Sequence, residues 1–301
     1  MYLVSFTNSN SDIPGQYRVG ILAPGGQEIV DLSQANPDLP LEMTSLIALG
    51  DTAISAMESA LRSNIGRIPL ASVKLLAPIP VPLRNIFCVG KNYPEHVKEV
   101  QSVVASADDN KGDAPEFPII FTKAPSSVIG PMDSIPAWLD DTDSVDYEGE
   151  LAVVIGEGGR GISRANAMQH VYGYTILNDV TSRRIQKQHQ QWFLGKSLDG
   201  FCPMGPCLVT KDEIDNLGNL NVQTRVNEEL RQDGHVRDMI FDIPALIETL
   251  SKGMTLQPGD IIATGTPAGV GMGFKPPKFL KSGDKVSITI EPIGTLVNPV
   301  K

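Results

Sequence analysis

Apolar positions in this chain come in short bursts separated by turn residues. Residues 2–6 and 17–22 read as strands, and residues 52–62 carry a helical pattern. A proline-rich connector follows, Ala77-Pro78-Ile79-Pro80-Val81-Pro82, stiff because each proline fixes its own φ. Beyond it, apolar and β-branched runs at 86–89, 118–121, 151–155, 206–209, Asn221–Val226, 261–264 and Lys285–Ile290 predict strands. Residues 164–169, 183–190 and Ile243–Ser251 predict helices. Strands followed mostly by strands predict an α+β fold, a mixed or antiparallel β core with flanking helices. The change of character at the connector divides the chain into a small N-terminal α/β unit, 1–76, and a larger unit, 77–301. Residues 101–116 are polar and rich in Ala, Ser, Asp and Gly, a long loop of the kind that serves as a lid.

Composition narrows the class. With 301 residues, 41% hydrophobic and 20% charged, the chain is a soluble globular protein able to bury a sizeable core. Its 25 Lys and Arg against 35 Asp and Glu give a formal charge of −10, which disfavours a nucleic-acid surface. The same field repels an anionic metabolite, so an acidic substrate requires cations gathered inside the site. No apolar stretch has the length of a membrane span, and the first residues lack the basic and apolar regions of a signal peptide. A cytoplasmic location without membrane partners is therefore expected. Cys88, Cys202 and Cys207 have neither zinc nor disulfide spacing, which fits a reducing compartment, and Cys88 reads as an inert core thiol.

The chemistry concentrates in a few segments. In Asp146-Tyr147-Glu148-Gly149-Glu150-Leu151, the carboxylates of Glu148 and Glu150 stand at i and i+2, on one face of a strand. Two adjacent carboxylates repel unless a positive charge lies between them, and a hard divalent cation such as Mg²⁺ fills that role; a solvated strand face is the competing reading. Asp179, at a strand-to-helix junction, either caps the helix or supplies a third ligand. Arg183 and Gln186 follow at i and i+3 and suit a carboxylate or ketone oxygen, although a solvated helix face reads equally from spacing. His96 is one of four histidines, and Glu99 lies one helical turn on, able to orient it as a general base; a surface His–Glu pair is the alternative. Lys196, set among Gly, Leu and Phe, is read as a functional lysine that needs an anionic partner. The stretch Thr264-Gly265-Thr266-Pro267-Ala268-Gly269-Val270-Gly271 lacks a P-loop ending and the helix of a dinucleotide fingerprint, so Thr266 and nearby backbone N–H groups face a carboxylate or simply a turn.

In order along the chain, Gly-x-Asn-Tyr-x-x-His-x-x-Glu at 90–99, Tyr-Glu-Gly-Glu-Leu at 147–151, Asn-Asp-Val-Thr at 178–181, Gly-Lys-Ser-Leu-Asp-Gly-Phe at 195–201 and Thr-Gly-Thr-Pro-x-Gly-Val-Gly at 264–271 together resemble the fumarylacetoacetate hydrolase family. The resemblance implies a mixed β-roll catalytic domain, a homodimer, and one Mg²⁺ or Mn²⁺ held by Glu148, Glu150 and Asp179. It also implies a His96–Glu99 dyad, an active-site Lys196, and substrate contacts from Arg183, Gln186 and Thr266. One departure stands out: Ser182-Arg183-Arg184 replaces the Ala-Arg-Asp of many members. The activity expected from this reading is metal-dependent hydrolysis of a C–C bond in a small 2,4-dioxo acid, with His96 activating water. A decarboxylase or isomerase of oxaloacetate or of 2-oxo or 2-hydroxy-dienedioates on the same site is the alternative. A non-catalytic oxo-acid-binding member is the more distant one.

Overall fold

The computed structural model describes residues 1–8, 17–103 and 114–301. The predicted loop at 101–116 falls largely outside them; its first residues complete the helix Pro94–Val103. Among the described residues, one sheet of twelve strands runs from Arg67–Pro69 through Glu28–Asp31, Arg18–Leu22, Tyr2–Asn8, Cys202–Thr210, Val171–Asn178, Gly149–Ile155, Ile261–Ala263 and Ile86–Gly90 to Ile119–Lys123. Val73–Leu75 and Val128–Ile129 pair beside this path. Most pairs are antiparallel, but Ile261–Ala263 runs parallel to Ile86–Gly90, so the sheet is mixed, as expected. A second, antiparallel sheet orders Glu229–His235, Asn221–Val226, Lys285–Ile290 and Gly294–Pro299.

The strand Gly149–Ile155 is buried along its whole length. An unbroken apolar run is what a strand covered on both faces requires. Leu151, Val153 and Ile155 share a core with Val222, Val286, Ile288 and Leu296 of the small sheet. Ala152 and Val154 pack instead with Leu46, Ile47, Met57 and Ala60 from the N-terminal helices. The first strand is hydrogen-bonded into the same sheet, with Tyr2 opposite Val209 and Leu3 opposite Leu208. All three cysteines are buried and free, and burial pushes each thiol up, Cys202 and Cys207 to about 12.

One local expectation changes, and one strand lies outside the predicted set. Residues 164–169 do not form an α-helix; a 3₁₀ turn, Ala167–His170, stands there. A segment this short cannot recover the cost of helix nucleation without strong tertiary packing, and most of its side chains are exposed. The strand Glu229–His235 was not legible as one, because its sequence, Glu-Leu-Arg-Gln-Asp-Gly-His, has no apolar alternation. Its pairing with Asn221–Val226 supplies what its own composition lacks.

Candidate metal and acid–base site

Register explains how distant acids converge. Gly149 pairs with Asn178 and Glu150 with Leu177 across adjacent strands, so Asp179 emerges beside Glu148. The Asp179 N–H donates to the Glu148 carbonyl at 2.8 Å, and the Glu148 N–H donates to Asn178 Oδ1 at 3.0 Å. Glu148 thus lies just before the strand rather than within it, yet it still reaches Glu150. One carboxylate oxygen from each of Glu148, Glu150 and Asp179 lies within 4.8 Å of the other two, and all three residues are buried.

Buried cations surround this cluster. Lys196 Nζ donates to Glu148 Oε2 at 2.8 Å and to Asp179 Oδ2 at 2.7 Å. Lys123 Nζ donates to Asp179 Oδ1 at 2.7 Å, to the Val180 carbonyl at 3.0 Å and to the Lys196 carbonyl. Arg183 joins Glu148 Oε1 through Nη1 at 2.7 Å and Asp146 Oδ2 through Nε at 2.8 Å. Burial alone would raise the Glu148 carboxyl, but Lys196, Arg183 and His96 beside it hold it far below the usual carboxylate range. Glu150 goes the other way: burial first, then the charges of Asp179 and Glu148, push its carboxyl well above that range. Its Oε2 accepts the Gly265 N–H at 2.8 Å. A buried carboxyl raised by two acidic neighbours, in an all-oxygen donor set, is the environment that a hard divalent cation relieves. The residues fit Mg²⁺ or Mn²⁺, and Glu148, Glu150 and Asp179 are the side chains able to hold it.

The acid–base pair approaches from another element. Proline opens the helix Pro94–Val103, where its missing N–H costs nothing. On that helix His96 Nδ1 lies 3.0 Å from Glu99 Oε2, and His96 is 6% exposed. Glu99 Oε1 accepts the Gly269 N–H at 2.9 Å, which ties the pair to the glycine-rich loop. With Nδ1 engaged by the carboxylate, Nε2 is the ring nitrogen left for proton transfer. Lys196 closes the short helix Phe193–Lys196, and its Nζ sits 5.0 Å from the centroid of the Phe121 ring. Gly195 admits that helix because a Cβ there would lie 2.5 Å from the Gln186 backbone nitrogen.

Of the expected substrate-contacting residues, Arg183 and Thr266 are tied directly to this cluster. Arg183 Nη2 is buried without a hydrogen-bond partner among the described residues, a donor free for a ligand. The Thr266 hydroxyl donates to the Gly149 carbonyl at 3.0 Å. Gln186 is half-buried on the helix Arg183–Gln188, with its backbone against Gly195. Arg184, the departure from the family pattern, is exposed; its backbone N–H donates to Ser144 Oγ at 3.0 Å.

Residues 85–301 match the family described as "Fumarylacetoacetate (FAA) hydrolase C-terminal". The chain belongs to the fumarylacetoacetate hydrolase family. It is similar to oxaloacetate tautomerase YisK of Bacillus subtilis, 52% identical over 91% of this chain and 93% of that one. It is also similar to oxaloacetate tautomerase fahd2, mitochondrial, of Xenopus laevis, 43% identical over 100% of this chain and 90% of the relative. Among solved structures, the fumarylacetoacetate hydrolase of Exiguobacterium antarcticum matches with a TM-score of 0.80 at 42% identity, covering 100% and 99% of the two chains. Maleylpyruvate hydrolase of Sphingobium sp. SYK-6, in complex with manganese(II) and pyruvate, matches at 0.78 and 33% identity, covering 100% and 98%. Like these family members, the chain is an enzyme of the superfamily, with an acidic cluster that suits a divalent metal.

Some of this family member's site residues escaped sequence reasoning. Lys123 ends the apolar strand Ile119–Lys123 and is fully buried; a lysine closing an apolar run was its one visible sign. Asp146 lies in the same acidic segment as Glu148 and accepts from the Gly271 and Met272 N–H groups at 2.7 and 3.0 Å. Asn92 bridges the elements: its side-chain amide donates to the Thr264 and Phe241 carbonyls at 2.7 and 3.0 Å.

Proposed function

We propose that this enzyme interconverts the keto and enol forms of oxaloacetate, with Mg²⁺ or Mn²⁺ held by Glu148, Glu150 and Asp179. The observation that carries this reading is the match, over nine-tenths of the chain or more, to two proteins named oxaloacetate tautomerases. The site's geometry supports it. Tautomerisation moves one proton between carbon 3 and the 2-oxygen, so it needs a positioned base and a cationic setting for the oxygen, not a hydrolytic water. His96, held by Glu99, takes the proton from carbon 3 and delivers it to the 2-oxygen to complete the enol, and it runs both transfers backwards in the reverse direction. Lys196 and Arg183 offset negative charge as it develops on the oxygen, and the unpartnered Arg183 Nη2 donates to a substrate carboxylate. Gln186 and Thr266 complete the substrate contacts in this reading. The metal, when bound, supplies Lewis acidity toward the 2-oxo acid group.

Hydrolysis of a 2,4-dioxo acid is the second reading, favoured by the likeness to the Exiguobacterium fumarylacetoacetate hydrolase and to maleylpyruvate hydrolase. The two differ in what happens to total substrate. With Mn²⁺ present, the expected outcome is fast loss of the oxaloacetate enol absorbance while total oxaloacetate is conserved and pyruvate does not accumulate. Pyruvate release from acylpyruvates, with no acceleration of enol loss, would overturn the tautomerase reading in favour of hydrolysis. The same reading includes a cytoplasmic homodimer, as the family resemblance implies.

A further inference from the structure

The polar core of the small sheet holds a residue that none of the site chemistry has used. Gln232 is fully buried on the strand Glu229–His235, opposite Thr224 and beside the bulge between Thr224 and Arg225. Its Oε1 accepts the Gly149 N–H at 2.9 Å, and its Nε2 donates to Thr266 Oγ1 at 2.7 Å and to the Pro267 carbonyl at 2.8 Å. A backbone N–H only donates and a carbonyl only accepts, so the amide has one orientation here. Because Thr266 receives a hydrogen from Gln232, its own hydrogen goes to the Gly149 carbonyl. Both polar groups of residue 149 are therefore spoken for by one closed ring: Gly149 to Gln232, Gln232 to Thr266, Thr266 to Gly149.

Residue 149 is the peptide between Glu148 and Glu150. It must be glycine, since a Cβ there would lie 2.3 Å from Thr224 Oγ1 and 3.1 Å from an Ile288 methyl. That closeness lets the small sheet reach the carboxylate strand at all. We propose that Gln232 is a positioning residue: its amide fixes the Gly149 peptide, and with it the Glu148–Glu150 pair, to the loop that carries Thr266. The assignment rests on the reading of Glu148, Glu150 and Asp179 as the metal-holding set. Gln232 makes its hydrogen bonds to backbone and hydroxyl, not to the carboxylates, and acts through them.

The test is calorimetric titration of Mn²⁺ into the full chain without substrate. Gln232→Met removes the amide at similar length, and Thr266→Val breaks the ring from its other side. Each is expected to weaken Mn²⁺ binding by about ten-fold, the usual effect of losing a group that orients metal ligands. The double variant is expected within about two-fold of the weaker single one, because both break one ring. Singles that bind within about two-fold of wild type, or losses that multiply in the double variant, overturn the assignment. If Gln232→Met does not fold, Thr266→Val decides alone, since a hydroxyl that merely touches substrate leaves substrate-free Mn²⁺ binding unmoved. A wild-type chain that binds no Mn²⁺ overturns the metal reading itself, and this assignment with it.

Discussion

Asp179 sits fully buried between two lysines, Lys123 on Oδ1 and Lys196 on Oδ2, both at 2.7 Å. Lys196 faces the other carboxylates, whereas Lys123 lies behind, on backbone carbonyls as well as on the acid. Removing Lys123 leaves Asp179 to Lys196 alone, which Glu148 already shares, and breaking a buried ion pair in this way costs about 3–5 kcal/mol. Lys123→Met is therefore expected to lower stability by about that amount in urea denaturation, and saturating Mn²⁺ should restore part of it by binding only the folded state. A loss under about 1 kcal/mol would mean that Asp179 does not depend on Lys123 for its charge. At this scale the sequence was most legible where chemistry repeats at short spacing. The i, i+3 His96–Glu99 pair follows from helix periodicity, and the i, i+2 acids stand together although Glu148 lies just before the strand. Lys123 and Gln232 were not legible, because their partners lie 56 and 83 residues away and no local pattern points to them.

Between the residues and the whole stands the loop after Ile261–Ala263, which touches nearly every part of the site. Its Gly265 N–H reaches Glu150, Gly269 N–H reaches Glu99, and Gly271 N–H reaches Asp146. Gly269 has φ +106°, and a Cβ there would stand 1.8 Å from the Arg231 carbonyl oxygen, with backbone on the other side of the contact. Gly269→Ala must push the loop off the strand Glu229–His235 and break the bond that steadies Glu99. Misplacement on this scale costs about 100-fold in turnover, so kcat is expected to fall by about that factor. Gly253→Ala, exposed with open space around it, is the matched control and should leave kcat and Tm unchanged. Equal kcat in the two variants would contradict the loop's role. The strands with apolar runs were readable from pattern alone, since two covered faces demand continuous apolar sequence. The strand Glu229–His235 and the turn at Ala167–His170 were not, because pairing and packing, rather than their own residues, decide them.

Across the whole molecule, an acidic chain of formal charge −10 gathers Lys123, Lys196 and Arg183 in its interior, each paired with an acid. The order of motifs carried the family and its mixed-sheet architecture, because those motifs are the site, and the site is the meeting of strands. The family match begins at residue 85, and the strand Tyr2–Asn8 hydrogen-bonds into the sheet of the matched region. That pairing was invisible beforehand, since strand Tyr2–Asn8 and its partner Cys202–Thr210 lie far apart in the chain and share no motif. In the proposed reaction this site moves a proton on carbon 3 of oxaloacetate without breaking a carbon–carbon bond. Proton NMR in D₂O reads this out: with Mg²⁺-loaded enzyme, deuterium should enter carbon 3 faster than in buffer while total oxaloacetate stays constant. Carbon 3 exchange at the buffer rate, with the wild-type chain folded and metal-loaded, would contradict it.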